Sequence, residues 1–160
     1  MKILAFFYKC FVKYRAKSVG ENLHVNHLSI VSKNTILGNN VNFNGMRISG
    51  AGNVKIGDNF HSGRDCLMIS QNHNYDKGKF IPYDKTYIPK NITIEDNVWI
   101  GDRVIILGGA VIKEGAIIQA GSVVVGTIPQ CSIAGGHPAK VFKMRDVEHY
   151  LELKEKKKFM

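Results

Sequence analysis

From Ile92 the chain reads ITIEDNVWIGDRVIILGGAVIKEGAIIQAGSVVV, and its aliphatic residues recur neither at every second position nor at helical spacing. They recur at every sixth: Ile94, Ile100, Ile106, Ile112, Ile118 and Val124. The fifth place of each unit is restricted to mostly small or β-branched residues, namely Val98, Val104, Ala110, Ala116, Ser122 and Ile128. The second place is loose, running from Glu95 and Gly101 to Lys113 and Gln119. Two fixed places in six describe a short flat strand followed by a bend, and three such units close one turn of a triangular prism. Turns stacked roughly 4.8 Å apart, as paired strands sit, place each aliphatic above another in an inner column. The pattern predicts an all-β fold, a parallel β-helix of hexapeptide repeats.

The repeat extends backward with interruptions. Val25, Val31, Leu37 and Phe43 keep one phase; Ile56, Ser62 and Met68 keep another, so an insertion or bulge is expected at 49–55. A longer break at about 74–91, NYDKGKFIPYDKTYIPKN, separates Met68 from Ile94. A long excursion from a regular prism is uncommon and is often where function sits.

The sixth places hold Trp99, Ile105, Val111, Ile117 and Val123, whose side chains would point outward. Apolar columns on more than one outer face need cover. Neighbouring subunits of a ring would supply it, and three-sided geometry makes that ring a trimer.

Both ends read differently from the middle. Residues 1–20 form an amphipathic basic segment, with a helix over 2–17 that sets Ile3, Leu4, Phe7, Tyr8, Phe11 and Val12 on one side and Lys2, Lys9, Lys13 and Lys17 on the other. Such a helix either caps the prism or rests on an anionic bilayer. Residues 21–136 form the β-helix domain, and 137–160 a turn and a basic helix (145–158) expected to cap the far end and shield an open strand edge. Nearly all of the net charge of +9 belongs to these ends. Residues 1–20 carry five bases and no acid, and 137–160 carry seven bases and four acids, whereas 21–136 carry ten and nine. That asymmetry suits a phosphate-bearing ligand or an acidic membrane surface. Nucleic acid is not expected, since no basic stripe with interleaved aromatics runs through the core.

Three scattered cysteines (Cys10, Cys66, Cys131) form neither a disulfide framework nor a CxxC metal site. No stretch approaches the length and apolarity of a membrane span, and no secretory cleavage site is evident. A cytoplasmic location with reduced thiols is expected, at the inner face of the membrane if the first helix binds lipid.

The long break begins just after MISQNHNYD, which sets His73 at the rim of the prism beside the loop. An imidazole with an unperturbed pKa near ~6.5 can accept a proton at neutral pH, so His73 is the natural general base.

The segments SQNHNYD, ITIEDNVWIGDRVIILGGAVI, IIQAGSVVV and IPQCSIAGGHPAKVFKMR make the chain, over about residues 25–145, resemble the hexapeptide-repeat acyltransferases. The branch it resembles holds maltose, galactoside and nodulation-factor O-acetyltransferases and those of surface-polysaccharide clusters. The resemblance implies a left-handed helix, a homotrimer with sites between subunits, acetyl-CoA as donor and no metal. It implies His73 as catalytic base, with the acceptor hydroxyl attacking the thioester directly. The acceptor-holding asparagine falls on Asn44, with Asn42 close behind. Asp76 is a candidate to orient the imidazole, and Tyr75 and Trp99 are candidates to meet substrate. For CoA, Gly108, Gly109, Ala120 and Gly121 lack bulk and admit a pantetheine chain. Val125 and Gly126 stand where the family often has threonine and lysine, which removes one cation. Lys140 and Lys143 match residues that meet CoA phosphates, and Arg145 lies beside them.

The expected activity is O-acetylation of a sugar or glycan in surface-polysaccharide synthesis, with a lipid-linked acceptor suited to the basic first helix. An N-acyltransferase acting on an amino sugar or nucleotide sugar would use the same base, and a non-catalytic β-helix scaffold is the rival from another class. A γ-type carbonic anhydrase shares the prism but needs three zinc-binding histidines, and the six here lack that spacing.

Overall fold

A computed structural model describes residues 2–160. Its strands wind into a left-handed parallel β-helix of about six turns. The first face stacks Ser18–Val19, Thr35–Leu37, Val54–Ile56, Ile92–Ile94, Val111–Ile112 and Thr127–Ile128 as one parallel sheet. The second face runs from His24–His27 through the leading parts of Asn42–Ser49 and His61–Ile69 to Trp99–Ile100, Ile117–Ile118 and Ser132–Gly136. The trailing parts of the two long strands, with Ile105–Leu107 and Val123–Val124, make the third.

The repeat's first places form the inner column: Ile94, Ile100, Ile106, Ile112, Ile118 and Val124 are all buried. A buried aliphatic of this size contributes about 1.5–3 kcal/mol relative to exposure. The bends have their own chemistry. At the corner between the first and second faces, Asn22, Asn40, Asn59, Asn97, Gly115 and Cys131 hold φ between 53° and 68°, a region asparagine tolerates better than most residues. Their amides form a ladder along the prism. Asn40 Nδ2 donates to Asn59 Oδ1 at 3.0 Å, and Asn59 Nδ2 to Asn97 Oδ1 at 2.9 Å. Beside them, Asp58 Oδ1 accepts from the Asn39 N–H at 2.7 Å and Asp96 Oδ1 from the Asp58 N–H at 2.8 Å. These aspartates thus satisfy backbone donors that the bends leave without strand partners.

The interruptions have definite forms. Around 49–55, the buried Ile48 and Ile56 stand two residues further apart than the repeat provides, and the register also shifts between Asn42 and Asn44. At the far end the repeat shortens, so Ile128 pairs with Ile112. This corrects its assignment to a fifth place: the tight bend at Val125 and Gly126 drops two residues and moves Ile128 onto the inner column. The long excursion opens earlier than 74. Gln71–His73 and Tyr87–Pro89 pair antiparallel as its arms.

The ends depart further from expectation. Helix α1 (Lys2–Arg15) lies against His24–His27, but its apolar stripe is divided. Val12 is buried and Tyr8 and Ala16 pack on the core, while Ile3, Leu4, Phe7 and Phe11 are exposed. At the other end, Ala139–Met144 runs antiparallel to Ser132–Gly136 and covers the last strand edge of the second face. Helix α2 (Val147–Glu155) starts at the N-cap Asp146 and turns back along the prism instead of capping it. Tyr150 OH donates to Glu114 Oε1 at 2.7 Å, and further on the Met160 carbonyl accepts from Asn40 Nδ2 at 2.6 Å. The edge is therefore shielded by a strand that the helical composition of 145–158 does not reveal.

Candidate active site

The excursion rises from the edge where the third face meets the first. Its roots rest on the bend of the next turn. The Gly109 N–H donates to the Asn91 carbonyl at 2.8 Å, and a Cβ at Gly108 would stand 2.5 Å from Lys90 Cβ. Only glycine fits there. Gly109 has φ +98°, and its missing side chain faces open space, as does that of Gly126 one turn further. Gly109 and Gly126 thus form a low, open column beneath the loop, with Val125 exposed at its foot, while Gly108 is closed off by Lys90.

Within the loop, Asp84 organises the tip by accepting from the backbone N–H groups of Lys79 (2.9 Å) and Thr86 (2.8 Å). That turn presents Tyr83 and Tyr87 to His73. The imidazole stacks on Tyr83 with ring centroids 3.7 Å apart and a 20° tilt, and lies 4.5 Å from Tyr87. His73 Nδ1 is buried and has no hydrogen-bond partner. Ile69, Gln71, Asn72, His73, Tyr75, Tyr83 and Tyr87 line a cavity of ≈ 400 Å³. Tyr75 is therefore beside His73, with its N–H donating to the His73 carbonyl at 3.0 Å. Asp76 is exposed and makes no hydrogen bond to the imidazole.

The other candidates lie elsewhere on the prism. Asn44 belongs to the second face, where its Oδ1 accepts from Asn26 Nδ2 (2.8 Å) and its Nδ2 donates to the Ser62 carbonyl (2.7 Å). Asn42 joins the same cluster through Asn26 at 3.2 Å. Trp99 stands in the outer column of the second face between His61 and Ile117, and is 54% exposed. Ala120 and Gly121 sit at the edge between the second and third faces, beside Arg64, Asp65, Asp102 and Arg103. Lys140 and Lys143 are exposed on the terminal strand. Arg145 is partly committed to structure: its Nη1 donates to the Gly115 carbonyl at 3.1 Å, and its guanidinium lies over the Tyr150 ring at 4.8 Å. The candidate residues are thus spread over separate edges of one prism.

The tyrosines that hold His73 could be suspected from the aromatic content of the loop, but no spacing marks which of them stack. Cys66 offers no nucleophile, since burial pushes its thiol up to about 11. Among the described residues, no three His, Cys, Asp or Glu side chains gather as a metal set.

Comparison with known proteins bears on this site. Residues 91–126 match the model of the bacterial transferase hexapeptide family (six repeats). No curated protein matches by sequence. Among solved structures, a galactoside acetyltransferase in complex with coenzyme A is 30% identical, with a TM-score of 0.76 over 89% of this chain and 72% of that one. A hexapeptide-repeat acetyltransferase from Vibrio cholerae O1 biovar eltor, complexed with acetyl coenzyme A, is 26% identical (TM-score 0.72; 84% of this chain, 74% of that one). A maltose O-acetyltransferase from Clostridium difficile 630 is 28% identical (TM-score 0.64; 81% and 66%). With this identity and coverage, and with the prism already evident from the residues, the chain belongs to the hexapeptide-repeat acyltransferases.

Proposed function

We propose that the protein transfers an acetyl group from acetyl-CoA to a hydroxyl of a sugar, with His73 as general base. The observation that carries this is the placing of one imidazole at the root of the excursion, above an open column of bulk-free bends. Because His73 Nδ1 is buried, substrate can meet the ring only through Nε2. Nε2 takes the acceptor proton as the hydroxyl oxygen attacks the thioester carbonyl. The tetrahedral intermediate then expels the CoA thiolate, which recovers the proton from the imidazolium. The open bends at Gly109 and Gly126 let the pantetheine chain approach backbone, with Gly108 packed behind them on Lys90, and Lys140 and Lys143 supply charge for phosphates.

The active unit in this proposal is a homotrimer. Ala120 and Gly121 at another edge, and Trp99 on the second face, lie apart from Gly109 and Val125, so one groove can use both sets only if two copies meet. Leu67, Ile105 and Val123 form an outward apolar column on the third face that such a neighbour would cover. A neighbour could also supply the missing acceptor for His73 Nδ1, since a buried donor without a partner is uncommon. A glycan acceptor fits synthesis of a surface polysaccharide in the cytoplasm, and a lipid-linked one would bring the enzyme to the membrane's inner face.

The test is release of free thiol from acetyl-CoA across sugars, glycolipids, amino sugars and nucleotide sugars. His73→Ala should lower kcat by about 10²–10⁴-fold. Wild-type rates in that variant would sink the assignment of the base. Turnover confined to amines would move the activity to N-acylation.

A further inference from the structure

Helix α1 carries two apolar stripes, and the prism uses one. Tyr8, Val12 and Ala16, at helical spacing, pack on the core. Ile3, Phe7, Phe11 and Tyr14 follow the same spacing on the nearly opposite side, widened by Leu4 and Phe6. These are exposed, Ile3 at 75%, Phe6 at 62% and Phe7 at 61%. A helix that serves only as a cap needs one apolar face and a polar back. This one has its back apolar.

The charges lie along the borders of that outward face. Lys9 and Lys13 flank it on one side and Arg15 on the other, and no acid occurs before Glu21. Two copies meeting face to face through this patch would bring like-charged borders together with no carboxylate on the helix to pair with them. A sheet of anionic headgroups would instead neutralise both borders while the aromatic and aliphatic arc enters the acyl boundary. We infer that α1 is an interfacial helix, held on the prism by its Tyr8–Val12 side and docking the protein onto an anionic lipid surface by its Ile3–Phe7–Phe11 side. No described helix is long and apolar enough to cross a membrane, so the contact is peripheral. The docking is independent of the acyl-transfer proposal, and its assay does not measure catalysis.

The experiment is flotation of the full chain with vesicles of phosphatidylcholine alone or with about a third phosphatidylglycerol. Wild type should float with the anionic vesicles, sink with the neutral ones and be released by salt. The pair Phe7→Ser with Phe11→Ser should cut partitioning about tenfold or more while the circular dichroism melt stays that of wild type. Lys13→Glu with Arg15→Glu, which alters no packed residue, should abolish binding to the anionic vesicles even if the first variant misfolds. Wild type that sinks with both vesicle types, or variants that float as well as wild type, would overturn the inference. So would a smaller oligomer in Phe7→Ser/Phe11→Ser by sedimentation when wild type does not float, since the patch would then be a contact between copies.

Discussion

His73 and Tyr83 face each other ring to ring, 3.7 Å apart at the centroids and only 20° from parallel. With Nδ1 unpartnered, this stack and the Tyr87 ring are what fix the imidazole's orientation within one protomer. In the proposed reaction Tyr83 would be a positioning residue. Tyr83→Phe keeps the aromatic face and should retain most activity. Tyr83→Ala should lower kcat about tenfold or more with little change in KM for acetyl-CoA. Steady-state kinetics on both variants check this, and equal kcat for Tyr83→Ala and wild type would remove the role.

Gly115 should be the most sensitive corner glycine. Its φ is +68°, and an added Cβ would lie 2.8 Å from Tyr150 Cζ, inside van der Waals contact. Gly115→Ala therefore meets both backbone strain and a clash with the base of α2. The expected loss is about 1–3 kcal/mol, read as a lower denaturation midpoint together with faster proteolysis of 147–160.

Glu114 ties the same helix to pH. Burial raises its pKa, but hydrogen bonds from Lys154 and Tyr150 outweigh that and leave it below the ordinary carboxylate range. A carboxylate whose pKa is depressed by folding stabilises the fold above its unfolded value, near ~4.3, and loses that contribution as pH falls through the folded value. The melting temperature of wild type should therefore drop more steeply below about pH 4.3 than that of Glu114→Gln. Parallel profiles for the two proteins would show that the contact contributes nothing.

The core was legible because its rule is periodic. Every first-place aliphatic from Ile94 to Val124 is buried, and small residues such as Ala110 and Ala116 fill the fifth places. What periodicity does not encode is docking between distant parts. Nothing in the spacing of 139–144 distinguishes an antiparallel edge strand from a helix lead-in, and only the pairing with Ser132–Gly136 decides it. The apolar residues of α1 were visible, but not their division between Val12, which is buried, and Phe7, which is not. At the site, His73 stood out as the histidine at the break. Its stacking partners did not, because the Asp84 turn that delivers Tyr83 joins residues by backbone hydrogen bonds, not by repeat.

The outer column of the third face gives a test of assembly. Leu67, Ile105 and Val123 pair across successive turns with their side chains outward. Ile105→Glu should leave the inner column intact and shift the protein from the proposed trimer to monomer in sedimentation, with loss of thiol release. Ile106→Ala, one residue away but on the inner column, should instead cost about 2–5 kcal/mol of stability. A monomeric wild type would end the trimer proposal.

The amide ladder ends where α2 begins: Asn97 Nδ2 donates onward to the Tyr150 hydroxyl at 3.0 Å, and the next corner is Gly115. An asparagine in place of that glycine would accept the left-handed backbone and offer the ladder another rung, yet it would occupy the space Tyr150 fills. A single corner position therefore decides between a lengthened polar spine and a clasped tail.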